Sequence, residues 1–166
     1  MKAEIVIREI RDTDNRDLEN VIKRSLEEYD MALDGTVYTD PVIKTMSSQY
    51  TDAGSAYFIA EHNGVLCGGG GISKLNKDDT SVCELQRMFL SSAYRGKGIG
   101  YRLLQHCIDY AKASGYSFCY LETSEKLHDA VRLYEKFGFK YLDGAMGSTG
   151  HFSCTTYMGM ELIKTE

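Results

Sequence analysis

The sequence predicts an α/β fold, a mixed sheet flanked by helices, and three observations carry that reading. An Asn63-Gly64 pair separates two strand-like runs, which is a strong hairpin signal and makes part of the sheet antiparallel. Two later segments carry apolar stripes at helical spacing. Strand-like and helical segments alternate through the second half of the chain, which calls for crossover connections.

Taken in order, residues 4–10 alternate around Ile5 and Ile7, with Val6 out of phase, and predict a strand. A first helix follows: Asp14 with Asp17 three residues on offers a capping arrangement, and Leu18, Val21, Ile22, Leu26 and Tyr29 recur at helical spacing. Pro41, the single proline, stands where a second short helix would begin, with Val42, Ile43 and Met46 as its apolar side. Residues 56–61 and 65–75 are the strands of the Asn63-Gly64 hairpin. Gly68, Gly69, Gly70 and Gly71 lie inside the second of them, where glycine marks a bulge or a close backbone approach; a flexible loop is the alternative. Residues 82–90 form another strand after the turn Asn76-Lys77-Asp78-Asp79.

Residues 98–114 place Ile99, Leu103, Leu104, Cys107, Ile108 and Ala111 on one helical face, and Gly115 closes it. Residues 118–121 read as a short buried strand. Leu127, Ala130, Val131, Tyr134 and Phe137 give the last helix its stripe, with Gly138 as its stop. Residues 139–142 and 155–162 supply two final strands around a glycine-containing loop, residues 143–154. The order is β-α-α-β-β-β-α-β-α-β-β, with no linker, repeat or low-complexity tract, so residues 1–166 are expected to form a single domain.

Composition narrows the function. A formal charge of −5 argues against nucleic acid as partner, because polyanion binders need a surplus of Lys and Arg. No apolar run approaches the roughly 20 residues that cross a bilayer, and Met1 to Ile5 do not open a signal peptide. The expectation is a cytoplasmic protein with no membrane partner. Cys67, Cys83, Cys107, Cys119 and Cys154 are scattered and odd in number, which fits free thiols in a reducing compartment. His62, His106, His128 and His151 show no ligand spacing, so no metal is expected.

The densest chemical signal is Tyr94-Arg95-Gly96-Lys97-Gly98-Ile99-Gly100, between a strand and an amphipathic helix. Glycines let a ligand approach the backbone there, and the helix N-terminus offers free amides and the positive end of its dipole, a setting suited to phosphate. The Walker pattern fails because Lys97 is followed by Gly98 and not by Ser or Thr. The dinucleotide pattern is a second choice: Gly96, Gly98 and Gly100 give G-x-G-x-G, with Glu122 ending the next strand as a ribose-binding acid would, but no second βαβ half follows.

Arg95-x-x-Gly98-x-Gly100 resembles the acetyl-CoA motif of the GNAT superfamily of acetyltransferases, and Leu133-Tyr134-Glu135-Lys136-Phe137-Gly138-Phe139 resembles its later L-Y-E-K-x-G-F segment. The element order is similar to that fold across nearly the whole chain. The resemblance implies an acetyl-CoA-dependent N-acetyltransferase in which the backbone of Arg95, Gly96, Lys97, Gly98, Ile99 and Gly100 cradles the pyrophosphate, and Met88, Phe89 and Leu90 pair with the pantetheine arm. Many family members carry Asn where this chain has Leu127, which removes one hydrogen bond to the cofactor arm, worth about 0.5–1.5 kcal/mol. Gly147-Ser148-Thr149-Gly150-His151-x-x-Cys154 further resembles a bacterial subgroup with a G-x-T-G-H-x-x-C loop.

Amine acetylation needs a base for the ammonium, a donor for the oxyanion and a proton for the departing thiolate. Glu84 lies at the offset before Arg95 where family members with a glutamate base carry it; the alternative is an exposed strand carboxylate. The Met88 N–H is the expected oxyanion donor. Tyr134 is implied as the general acid, with a plain core tyrosine as the alternative. Glu122 and His151 are candidate substrate contacts, and Cys154 reads as a packed thiol, since nothing beside it in sequence activates it. The competing function is a non-catalytic acetyl-CoA sensor or scaffold. Net acidity favours a cationic or zwitterionic amine; small-molecule and peptide acceptors both stay open, as does a homodimer.

Overall fold

Strand β2, Ala56–His62, shows how the sheet divides the molecule. Successive side chains of a strand point to opposite faces. Tyr57 and Ile59 accordingly pack with Leu18, Ile22 and Leu26 of helix α1, Asn15–Glu28. Ala56, Phe58 and Ala60 point the other way, into a second cluster with Leu103, Leu104, Cys107 and Ile108 of helix α2, Ile99–Ala113. Both faces of the sheet are thus covered, and each large apolar side chain buried there contributes about 1.5–3 kcal/mol.

The computed structural model describes residues 3–147 and 156–162. The remaining elements are β1 (Ile5–Glu9), β3 (Val65–Asn76), β4 (Asp79–Leu90), β5 (Phe118–Thr123), helix α3 (His128–Phe137), β6 (Lys140–Tyr141) and β7 (Thr156–Glu161). The strands form one sheet in the order β1-β2-β3-β4-β5-β7-β6. Among the described strands only β4 and β5 pair in parallel, across the crossover that carries α2; every other pair is antiparallel. This is the mixed sheet the sequence predicts. Asn63 and Gly64 take φ of 51° and 80°, as a tight hairpin turn requires.

The glycine run in β3 is a close approach and not a loop. A Cβ at Gly68 would stand 2.3 Å from the Phe89 carbonyl oxygen, and one at Gly71 would stand 2.7 Å from the Tyr57 ring. Both contacts are impossible for a real side chain, so glycine lets β3 lie between β2 and β4, against the Phe89 carbonyl and beneath the Tyr57 ring.

Two expectations need correction. The second helix is absent as an α-helix: Val37–Thr39, Pro41–Lys44 and Met46–Ser48 are separate 3-10 turns. Pro41 does start one, capped by Asp40 Oδ1 accepting from Val42 N at 3.0 Å. Ile43 and Met46 are both buried, and a three-residue repeat is the period of 3-10 geometry, so the apolar spacing is satisfied without an α-helix. The Asp14–Asp17 cap is also wrong. Asp14 makes no cap bond to α1; its carboxylate accepts from Arg11 N at 2.7 Å and from both terminal nitrogens of Arg8. Arg8 also donates to Glu61, so Asp14 is engaged in tying the start of α1 to β1 and β2.

Candidate active site

The site arises where the sheet splits. β4 and β5 pair only from Val82↔Phe118 to Glu84↔Tyr120. β4 then continues to Leu90, while β5 follows β7. From Leu85 onward β4 has no strand partner on its β5 side among the described residues, which leaves a backbone edge suited to an extended ligand. A bulge sharpens the divergence: Gly69 pairs with Phe89 but Gly71 with Gln86, so Arg87 and Met88 together oppose Gly70. Arg87 takes φ of 50°, and its carbonyl accepts from the buried Tyr57 hydroxyl at 2.8 Å, which pins the bulge.

A cavity of about 540 Å³ occupies the split. Its walls include Glu84, Met88, Phe89, Leu90, Arg95, Gly96, Gly98, Gly100, Glu122 and Tyr134, so most of the sequence-predicted residues are brought together. Lys97 and Ile99 do not line it. The Ile99 side chain is fully buried in the core under α2, and the Lys97 ammonium stands 5.9 Å from the Tyr94 ring centre. His151 and Cys154 lie outside the described residues.

The glycine loop serves through its backbone. Gly96 and Gly98 take φ of 75° and 80°, a left-handed conformation that favours glycine, with open space where side chains would stand. The first α2 bond runs from Arg102 N to Gly98 O, so the N–H groups of Ile99, Gly100 and Tyr101 have no acceptor within the helix. Amides and helix dipole therefore converge on one spot beside the cavity, the setting for a phosphate group. Arg95 itself turns away. Its guanidinium donates to Leu90 O at 3.0 Å, Glu28 Oε2 at 2.8 Å and the Tyr29 hydroxyl at 3.1 Å, anchoring the loop to α1.

Glu84 is 4% exposed, so the exposed-carboxylate alternative fails. Burial raises its pKa to about 7; the nearby Glu122 charge adds to the rise, while a 2.5 Å hydrogen bond from Gln86 Nε2 and the charge of Arg87 oppose it. Tyr134 is 5% exposed, with its ring edge against Phe139. Burial holds its hydroxyl above the usual tyrosine range, and that hydroxyl has no hydrogen-bond partner among the described residues. It therefore keeps its proton at neutral pH. Glu122 accepts from the Tyr120 hydroxyl at 2.6 Å. Leu127 packs toward the α1 cluster at the start of α3.

Sequence reasoning missed Gln86, Arg87, Tyr50 and Asp40. The Tyr50 hydroxyl donates to Gln86 Oε1 at 2.9 Å and accepts from Arg87 Nη1 at 2.8 Å, joining these side chains to Glu84. A signal existed for the first two: polar residues at 84 and 86 alternate, and Arg87 breaks the alternation, as a bulge does. Tyr50 and Asp40 lie in irregular segments and carry no such mark.

No group of three or more His, Cys, Asp or Glu placed to hold a metal occurs among the described residues, and no described helix is long and apolar enough to cross a membrane. The family model described as acetyltransferase (GNAT) family matches residues 16–139. The chain is 37% identical over 158 residues, 95% of each chain, to "Uncharacterized N-acetyltransferase YjgM" of Escherichia coli (strain K12). Its fold is similar to a GNAT-family acetyltransferase of Staphylococcus aureus Mu50, with a TM-score of 0.83, 23% identity and coverage of 96% of this chain and 100% of that one. It is also similar to the yncA protein of Salmonella typhimurium, solved with acetyl-CoA, with a TM-score of 0.75, 18% identity and coverage of 97% and 95%. With a splayed sheet, a glycine-capped helix N-terminus and these matches together, the chain belongs to the acetyltransferase (GNAT) family, enzymes that take their acetyl group from acetyl-CoA.

Proposed function

We propose that the chain acts as one cytoplasmic N-acetyltransferase domain, residues 1–166, moving the acetyl group directly to a primary amine of a small molecule or peptide. The observation that carries this reading is Glu84: a carboxyl buried beside the cavity, held near a pKa of 7, is poised to lose and regain a proton at neutral pH. A sensor that only binds has no use for such a group. The segment 147–154 supports placement in the bacterial subgroup with the G-x-T-G-H-x-x-C loop, with His151 and Glu122 as further substrate contacts.

The residues fit acetyl-CoA. The edge of β4 at Met88, Phe89 and Leu90 suits an extended amide-bearing arm, and the amides of residues 96–101, which have no acceptor among the described residues, suit its pyrophosphate. When bound, acetyl-CoA supplies a thioester carbonyl as electrophile. Glu84, directly or through one water, takes the proton of the acceptor ammonium. The Met88 N–H donates to the carbonyl oxygen as negative charge grows there, a contribution of about 10²–10³ for such a donor. The Tyr134 hydroxyl, protonated and without a hydrogen-bond partner among the described residues, gives its proton to the departing sulfur. Acid and base each contribute about 10²–10⁴ when positioned.

Release of free thiol from acetyl-CoA, measured over a panel of amines, tests the function. The expected result is release that depends on the amine added; tight acetyl-CoA binding with no release over the whole panel would establish the sensor instead.

A further inference from the structure

The Gln86 carboxamide is held in one orientation by a group that can only donate. Arg87 Nη1 donates to the Tyr50 hydroxyl oxygen at 2.8 Å and to Gln86 Oε1 at 3.3 Å. Having accepted from Arg87, the Tyr50 hydroxyl gives its one proton to the same Oε1 at 2.9 Å. A flipped carboxamide would set its NH2 against the guanidinium and its oxygen against the Glu84 carboxylate, donor to donor and acceptor to acceptor. Nε2 is therefore the atom turned to Glu84, and it donates to Oε1 at 2.5 Å. Arg87 is fixed in turn by the β4 bulge, where its carbonyl accepts from the Tyr57 hydroxyl, and by the Asp40 carboxylate 3.8 Å from Nη2.

The two oxygens of Glu84 are thereby made unequal. Oε1 accepts from Gln86, while Oε2 has no hydrogen-bond partner among the described residues, and Glu84 lines the cavity. A carboxyl whose one oxygen accepts from an amide N–H carries its proton on the other. We infer that Gln86 is a positioning residue for the base: oriented by Arg87 and Tyr50, it occupies Glu84 Oε1 as a donor, so that the amine proton is taken at Oε2. The inference rests on the acetyl-transfer reading above and deepens it. In the step, an N–H bond of the ammonium breaks, an O–H bond forms at Oε2, and the nitrogen keeps the electron pair with which it attacks the thioester. Donation from Gln86 also favours the ionised carboxylate, against burial and the charge of Glu122 on β5. The other groups that act on Glu84 through charge are Arg87 on the same strand, Tyr50 from the irregular segment and Tyr120 on β5.

The test is Gln86→Met, which keeps the length of the side chain and removes the donor. Two readouts are taken: the titration of Glu84 by NMR of carboxyl-labelled glutamate in the protein without acetyl-CoA, its signal assigned by loss in Glu84→Gln, and kcat/KM against pH with one accepted amine. The Glu84 titration should move up by about one unit, and the apparent pKa of kcat/KM should move with it. A rise of about one unit takes the ionised share at pH 7 from roughly half to roughly a tenth, so kcat/KM there should fall about fivefold. In a Glu84→Gln background the same substitution should change kcat/KM by less than about twofold, because Gln86 acts through Glu84. Tyr50→Phe keeps the ring and leaves Gln86 only the 3.3 Å bond to Arg87; it should shift Glu84 in the same direction by less, and it carries the test if Gln86→Met does not fold. An unmoved Glu84 titration in the folded variants overturns the inference. So does an equal loss in both backgrounds, which would make Gln86 a contact of the acceptor itself. A Glu84 titration that moves while no amine releases thiol sinks acetyl transfer and upholds the hold of Gln86 on the carboxyl, so the two failures are told apart.

Discussion

On the side of the cleft proposed for the cofactor, the groups offered to a ligand belong to the backbone: the edge of β4 from Met88 to Leu90 and the amides that precede and begin α2. On the side proposed for the acceptor they are side chains, Glu84 and Gln86 with Arg87 and Tyr50 bonded behind them, drawn from β4 and from an irregular segment far from it in sequence. The first kind of site depends on local conformation and tolerates variation in side chains; the second depends on tertiary placement and sets which molecule is accepted. Under the proposed function, the difference assigns cofactor binding to one short motif and specificity to a buried network.

Each variant below strikes one side of that comparison. The largest effect is expected at the junction, from Tyr134→Phe, which keeps the ring and its packing on Phe139 and removes the hydroxyl. Its kcat should fall about 10²–10⁴-fold with little change in acetyl-CoA affinity, because the proton matters only as charge develops on sulfur. Single-turnover kinetics beside a calorimetric titration checks both halves, and a kcat within threefold of wild type would make Tyr134 a packing residue.

Next is a stability effect on the acceptor side. Burial raises Glu84 from 4.5 to about 7 in the folded chain, so the folded state binds more protons than the unfolded one between those values. The stability tied to that proton is present below about pH 4.5 and is lost as pH rises through about 7. Glu84→Gln, which cannot ionise, should gain on wild type by roughly 2 kcal/mol between pH 5 and pH 8. Urea denaturation at the two pH values measures it, and a pH-independent difference would show that Glu84 is not perturbed.

The smallest effect sharpens the cofactor side. Gly98 and Gly64 both take φ of 80° with open space around them, so alanine strains either backbone by about 1–2 kcal/mol. Only Gly98 adjoins the cavity. Gly98→Ala should weaken acetyl-CoA binding about tenfold, whereas Gly64→Ala should lower Tm and leave affinity alone. Equal affinities in the two variants would remove the loop from the binding site.

What could be read in the sequence follows the same division. The Arg95–Gly100 loop shows itself because a backbone site needs glycines at fixed offsets, and the Asn63-Gly64 turn shows itself for the same reason. Strands and the two later helices emerge from periodicity because each has one or two faces in a core. The acceptor network does not emerge: Tyr50 and Asp40 meet Arg87 only because the 3-10 turns fold back over β4. The apolar spacing of Ile43 and Met46 suits two helical geometries, and only packing against α1 selects between them. The position of Glu84 is legible through the family resemblance, which sets its offset from Arg95, but its burial, from which its chemistry follows, depends on the split between β4 and β5.

The central claim is that Glu84 removes the amine proton. A pH–rate series on wild type and Glu84→Gln with one good acceptor tests it most directly. The account predicts that wild-type kcat/KM rises through an apparent pKa near 7, and that Glu84→Gln loses this step, falls by about 10² or more at pH 7 and partly recovers at high pH, where the amine is already free. Superimposable profiles would contradict it.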